Sequence, residues 1–191
     1  FHVPELRVKG LRVDPDGHLV QLSRMELHNA RFALATAEGD AHSNLTNLLN
    51  KLASGDTSST GADWTIRCAH FLIDGLHFSF HDDNYPRKPF GVDFTHVDVP
   101  DAHVEGHRLV VVGDSINAFM ERVSLTERSG FRVDQLAGIT SVSGKGIRIE
   151  QMVLRTPVTD LRGKLSMASE SWLAFNDFTQ NVNLRLDLDS S

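Results

Sequence analysis

Histidine and carboxylate side chains are the groups in this chain whose type and spacing could support chemistry. The 191 residues include ten histidines, and HFSFHDD at 77–83 combines imidazoles with carboxylates. Such donors can bind divalent transition metals. His103 precedes His107 by four residues, but no helical pattern there would bring the two imidazoles onto one face. We therefore predict no metal site and no cofactor.

Nucleotide and nucleophile chemistry finds equally little support. The stretch GITSVSGKG at 138–146 places five residues between its first two glycines, where a phosphate-binding Walker A loop needs four. Gly146 also stands where that loop requires Ser or Thr for magnesium. No Ser or Cys lies in a nucleophile elbow, and no paired-carboxylate pattern is visible. We predict no catalytic residue, and a hydrolase built from scattered acids and histidines is the least favoured function.

Composition narrows the classes of partner. The net charge is −6 and the pI is about 5.9, with basic residues interspersed among acidic ones, which argues against nucleic acid. No apolar run is long enough for a transmembrane helix. The single cysteine, Cys68, precludes an intramolecular disulfide, and we predict that it is a small buried hydrophobe.

The elements that would position any site show an unusual spacing of apolar residues. Apolar residues recur at offsets of two, three, two, three and two, and the fifth occurrence falters near its end. We call these stretches the template segments, and they lie at 1–13, 20–32, 66–78, 92–104 and 147–159.

Strand geometry explains the offsets. Side chains two apart share a face of a strand, and a step of three keeps that face only if a β-bulge absorbs one residue. The second step of three includes turn or bulge residues such as Gly10, Asn29 and Gly75. Each segment is therefore either one long kinked strand or two short strands joined by a tight turn. We favour kinked strands, because a curved sheet needs such devices.

These elements predict a mostly all-β fold. We expect one β-rich unit over 1–191, a long curved antiparallel sheet forming a groove, with a closed β-sandwich as the alternative. Pro15-Asp16-Gly17 predicts a hairpin turn. The leucines of SNLTNLLNKLASG are spaced for one short amphipathic helix at 44–53. The glycosylation sequon at 44–46 falls in that helix and is discounted.

Four stretches carry a family resemblance. They are RVSLTERSGFRVDQLAG, GIRIEQMVLRTPVTDLRGKL, ELRVKGLRV and FLIDGLHFSF, and TERSGF with LRTPVTDLRG is the most specific part. Together they resemble the AsmA-like and TamB-like envelope proteins of Gram-negative bacteria. The resemblance implies a periplasmic β-groove of the taco type, anchored in the inner membrane. It also implies a role in carrying phospholipids between membranes or in outer-membrane protein assembly.

The chain is expected to be an internal fragment of such a protein. It begins at Phe1 without Met or a signal peptide and ends just after an alternating strand pattern. Membrane contact is then expected only through parts of the longer protein that are missing here.

We predict that template residues line a groove for phospholipid or another acyl chain. A structural or interaction module without lipid, such as an adhesin-like β-sandwich or an assembly scaffold, is the alternative. The predicted lining comprises Val3, Leu6, Val8, Leu22, Met25, Leu27, Phe71, Ile73, Phe94, Val97, Val99, Ile149, Met152 and Leu154.

Overall fold

The computed structural model describes residues 2–40, 44, 64–113, 115–143, 145–168 and 183–189. The predicted helix at 44–53 lies outside this part of the chain except for its first residue. The bounded elements of the described residues are eleven β-strands: β1 (Glu5–Lys9), β2 (Arg12–Asp14), β3 (Leu19–His28), β4 (Arg31–Thr36), β5 (Thr65–Asp82), β6 (His96–Val112), β7 (Ser115–Thr126), β8 (Arg132–Ser143), β9 (Gly146–Thr156), β10 (Thr159–Ala168) and β11 (Asn183–Leu188).

All these strands join in one open sheet. Its order is β1-β3-β5-β6-β7-β8-β9-β10-β11, with β2 also on β3 and β4 also on β5. The predicted all-β class and the open curved sheet are confirmed. Because every described strand is hydrogen-bonded into the same sheet, these strands do not form the two stacked sheets of a closed sandwich.

The predicted antiparallel order needs one correction. It holds from β5 through β11 and for β1 and β2 on β3, but β3 and β4 run parallel to β5. A parallel pair needs a crossover connection of a dozen or more residues, and residues 37–64 are long enough to provide one. The sheet is therefore mixed, while short turns such as 15–18 join antiparallel neighbours as expected.

The kinked-strand interpretation of the template segments is confirmed only in part, because the chain passes from one strand to the next within the segments 1–13, 20–32 and 147–159. β5 runs unbroken through Gly75, whose φ is 68°, and β9 runs unbroken through Gln151, whose φ is 52°. The first segment breaks between β1 and β2, but both pieces pair with β3. Likewise β3 and β4 both pair with β5. At Gly10, Asn29, Gly75 and Gln151, a residue in the left-handed region lets the chain resume with the same face toward the same neighbour.

The segment 92–104 departs from its template at its start. β6 begins only at His96, and Phe94 lies in the preceding turn. The Asp93 carboxylate organises this turn, because it accepts hydrogen bonds from the backbone N–H groups of Lys88 at 2.8 Å and Thr95 at 3.1 Å. Such side-chain bonds offer the backbone an alternative to the strand ladder.

The buried core is small and made of residues from the template segments and their neighbours. The prediction that Cys68 is buried is confirmed, since it is 2% exposed. Burial also raises the pKa of its thiol, against two opposing backbone hydrogen bonds. The buried apolar side chains of the described chain are Ala30, Cys68, Phe71, Val99, Ala102, Ala118, Ile149 and Met152.

Candidate functional site

The register of the sheet brings the template residues onto one side, which we call the apolar face. Residues that pair across neighbouring strands share a face. Ile73 of β5 pairs with Leu27 of β3 on one side and with Val104 of β6 on the other. The template spacing thus becomes a surface that continues from strand to strand.

Two uninterrupted rows of apolar side chains cross this face. The first spans eight strands and the second spans nine. The first row is Leu6, Leu27, Ile73, Val104, Val123, Leu136, Leu154 and Leu161. The second row is Val13, Val20, Ile66, Val111, Ile116, Val142, Ile147, Met167 and Leu184.

Burial varies along the apolar face. Phe71 and Met152 are only 5% and 2% exposed, whereas Leu6 and Leu184 at the two edges are 56% and 60% exposed. Ile66 and Ile116, in inner strands, are also 38% and 40% exposed. The face therefore combines a few closely packed side chains with exposed apolar residues at the edges and within the sheet.

A glycine explains the deep burial of Phe71. Gly106 pairs with it in the neighbouring strand β6, and a Cβ built on Gly106 would lie 2.6 Å from the Phe71 ring. The ring therefore covers the bare backbone of Gly106, a packing that a side chain at this position would block.

Most of the predicted lining residues lie together on this face. β1, β3, β5, β6 and β9 carry twelve of the fourteen: Leu6, Val8, Leu22, Met25, Leu27, Phe71, Ile73, Val97, Val99, Ile149, Met152 and Leu154. Val3 lies between an isolated bridge at His2 and the start of β1. Phe94 is not brought to the face, because it stands in a turn with 71% of its surface exposed.

Sequence reasoning missed about half of the apolar face. β7, β8, β10 and β11 extend it through Val123, Leu136, Leu161 and Leu184. In these strands apolar residues alternate with polar ones, for example at Leu161, Leu165 and Met167. This alternation could have predicted the additional apolar residues, but these strands do not repeat the full five-step template.

The opposite side of the sheet, which we call the polar face, carries the charges. Lys164 of β10 bonds Glu150 of β9 at 3.1 Å, and Arg155 bonds Asp160 at 3.1 Å. The residues in these pairs alternate with residues of the apolar face along their strands. Charge is thus segregated to one side of the sheet.

Histidines of the polar face contact one or two carboxylates, and His103 also lies 3.9 Å from Glu105. His77 lies 3.0 Å from Asp98, His103 lies 2.9 Å from Asp74, and Nδ1 of His107 lies 2.6 Å from a carboxylate oxygen of the neighbouring strand. Within the described residues no group of three His, Cys, Asp or Glu side chains could hold a metal ion. The sequence 77–83 does not assemble into such a group.

Two buried carboxylates lie in the turns beside β6. Burial by itself would raise the pKa of Asp93, but hydrogen bonds from Thr95 and the Lys88 backbone hold it well below its ordinary 3.8. Burial by itself would likewise raise the pKa of Glu127, but hydrogen bonds from Ser129 lower it below its ordinary value. Both groups accept hydrogen bonds from their own loops, an arrangement that organises turns.

Comparison with known proteins identified no relative. No protein-family model, no curated protein and no solved structure matches the chain. Within the part of the chain that the structure describes, no helix has the length and apolarity needed to cross a bilayer.

Proposed function

We propose that this chain is a segment of a β-groove that shields or conducts the acyl chains of lipids. The observation that supports it is the continuous apolar face, whose nine-strand row from Val13 to Leu184 contains only apolar residues. A soluble monomer seldom exposes an apolar patch of more than a few hundred Å². An extended face with exposed apolar residues is suited to an apolar ligand.

The dimensions of the face suit an acyl chain. Neighbouring strands are ~4.8 Å apart, so a row across nine strands extends for about 38 Å. A bilayer's hydrocarbon core is ~30 Å thick, and an acyl chain that spans one leaflet covers about half of that. The face is long enough to hold more than one such chain end to end.

The wider setting of the proposal comes from the resemblance to AsmA-like and TamB-like proteins. The longer protein would lie in the periplasm, anchored in the inner membrane, and would move phospholipid between the two membranes. Assistance to outer-membrane protein assembly belongs to the same setting. No catalytic step, cofactor or nucleic-acid partner is part of the proposal.

A structural or interaction module is the second candidate, and the edge of the sheet supports it. All six residues of β11 are exposed, and in the described chain β11 pairs only with β10. An exposed edge strand offers a row of backbone hydrogen-bonding groups to another chain. In this alternative the sheet would grow by strand addition, with no lipid bound.

Adjacent residues in β7 provide a matched test. Val123 lies on the apolar face and Ser124 on the polar face, and both are partly buried. Val123→Asp places a carboxylate in the groove and should lower the affinity for a fluorescent fatty acid at least tenfold, because an unpaired charge there lacks solvation. Ser124→Asp adds the same charge to the other face and should leave binding unchanged.

Circular dichroism first establishes that both variants fold. A photo-crosslinking residue at position 123 or 124 then provides an independent readout in the wild-type background. Lipid crosslinked at position 123 and not at position 124 supports the groove. Equal fatty-acid binding by both aspartate variants, or crosslinking to lipid from neither position, would refute it.

A further inference from the structure

A depression on the polar face lies at the row of kinks where β2, β3, β5 and β6 meet. Its volume is about 610 Å³, within the range of small-molecule sites. Small residues, long polar residues and apolar residues line it together. The lining comprises Gly10, Ser23 and Ala69, then Arg12, Gln21, Arg67 and Arg108, and finally Leu22, Cys68, Leu109 and Val110.

The charge of this depression is opposite to that of the chain. The protein carries 25 acidic and 19 basic residues, yet three arginines and no acid line the depression. Among the described residues none of these arginines has an ion pair or a hydrogen bond to a carboxylate. Asp14, on the same strand as Arg12, accepts the backbone N–H of Gly17 at 3.0 Å.

The register explains why the three guanidinium groups are close together. Arg12 pairs with Gln21, and Gln21 pairs with Arg67. The two arginines are therefore separated by a single intervening strand, about 10 Å at the backbone. Arginine side chains are long enough to converge on one anion between them.

Arg108 joins them because of a bulge. The pairing of β6 with β7 shifts between His107 and Val110, and Arg108 has a φ of 55°. The left-handed region is sterically unfavourable for a residue that carries a Cβ. A bulge re-aims the side chain that it carries, and here it directs an arginine to the depression.

We propose that this depression binds a phosphoryl group, from a soluble phosphorylated molecule or from a lipid headgroup. Planar guanidinium groups bind phosphate oxygens in a bidentate manner, and the uncompensated positive charge favours a multiply charged anion. The site lies on the opposite side of the sheet from the groove and does not rest on the proposed function.

Calorimetric titration with inorganic pyrophosphate tests the site. The variants Arg67→Gln and Arg108→Gln should each weaken binding about tenfold, since hydrogen bonds between charged groups are the strong ones. Arg162→Gln is the matched control, because Arg162 is an exposed residue of β10 outside the depression. It should bind pyrophosphate like the wild type.

Arg108→Gly separates binding from folding. It removes the guanidinium group together with the strained backbone, so binding should weaken while the melting temperature does not fall. Val123→Asp, on the apolar face, should leave pyrophosphate affinity unchanged. Loss of fatty-acid binding by the apolar face can therefore be distinguished from loss of pyrophosphate binding by the depression.

Vesicle sedimentation identifies the source of the phosphoryl group. Binding to phosphatidylcholine vesicles that contain phosphatidic acid, lost in Arg67→Gln, supports the site with a lipid headgroup as its ligand. Pyrophosphate binding without vesicle binding supports the site with a soluble ligand. If the arginine variants and the Arg162 control bind both probes equally, or the wild type binds neither, the proposal is wrong.

Discussion

Individual side chains set the boundaries of the elements. At the start of β6, the Asp93 carboxylate accepts hydrogen bonds from Lys88 and Thr95 and lies 3.2 Å from His96. This constellation of acid, hydroxyl and imidazole has the residue types of a catalytic site. Its geometry instead closes a turn, because the bonds converge on one buried carboxylate.

The lowered pKa of Asp93 makes the stability of this turn depend on pH. A carboxylate whose folded pKa lies below its unfolded value stabilises the fold above about pH 4, and that contribution is lost as the pH falls further. Asp93→Asn should therefore unfold more readily than the wild type at pH 7, by about 1–3 kcal/mol. The difference should shrink toward about pH 3.

Thermal unfolding of both proteins between these two pH values provides the measurement. The melting temperature of the wild type should fall more steeply with acid than that of the variant. A constant gap between the two curves would show that Asp93 does not carry this dependence.

At the scale of the single strand, the template spacing determines where the backbone bends. Four of its kinks have a residue with positive φ, and one of these residues, Gln151, is neither Gly nor Asn. An ordinary strand residue adopts this conformation only against a steric cost. The kinks are therefore built features that keep apolar residues on one face.

Gln151→Gly tests this interpretation of the kinks. Glycine accepts a φ of 52° without the Cβ penalty, so the substitution should leave the stability unchanged or raise it by up to ~1 kcal/mol. Arg148→Gly, at an exposed extended position of the same strand, should lower stability by about 0.5–1 kcal/mol. Urea unfolding at equilibrium compares the two variants. Similar losses in both would show that the backbone at Gln151 carries no strain.

At the scale of the whole molecule, the described strands form one layer, so the local stability should vary across the sheet. Central strands have two neighbours and bury residues such as Phe71 and Val99, whereas β11 has one described neighbour and no buried residue. Local opening is easiest where few apolar contacts and exposed hydrogen bonds hold the backbone. The two margins should open before the centre.

Hydrogen exchange measured by mass spectrometry checks this gradient. Amides of β5 and β6 should be protected longest, and those of β2 and β11 should exchange first. Val158, exposed in the turn between β9 and β10, marks a third fast region. Uniform protection from β1 to β11 would indicate a second layer over the apolar face and would contradict the open sheet.

Local spacing in the sequence determined the strands, their kinks and the apolar identity of one face. Offsets of two and three specify which side chains share a face, and Gly10, Asn29 and Gly75 mark where the chain must bend. These features depend on neighbours within a few residues, so they are readable in the sequence. The burial of Cys68 followed from the same pattern.

Only the tertiary structure decided which strands lie side by side. β3 and β5 pair in parallel, and no local pattern in the sequence specifies that direction. Arg12, Arg67 and Arg108 are far apart in sequence, and no local sequence pattern marks them as a group. Long-range pairing brings them to one depression, just as it aligns Val13 with Leu184 in one row, because register between distant strands is a property of the whole sheet.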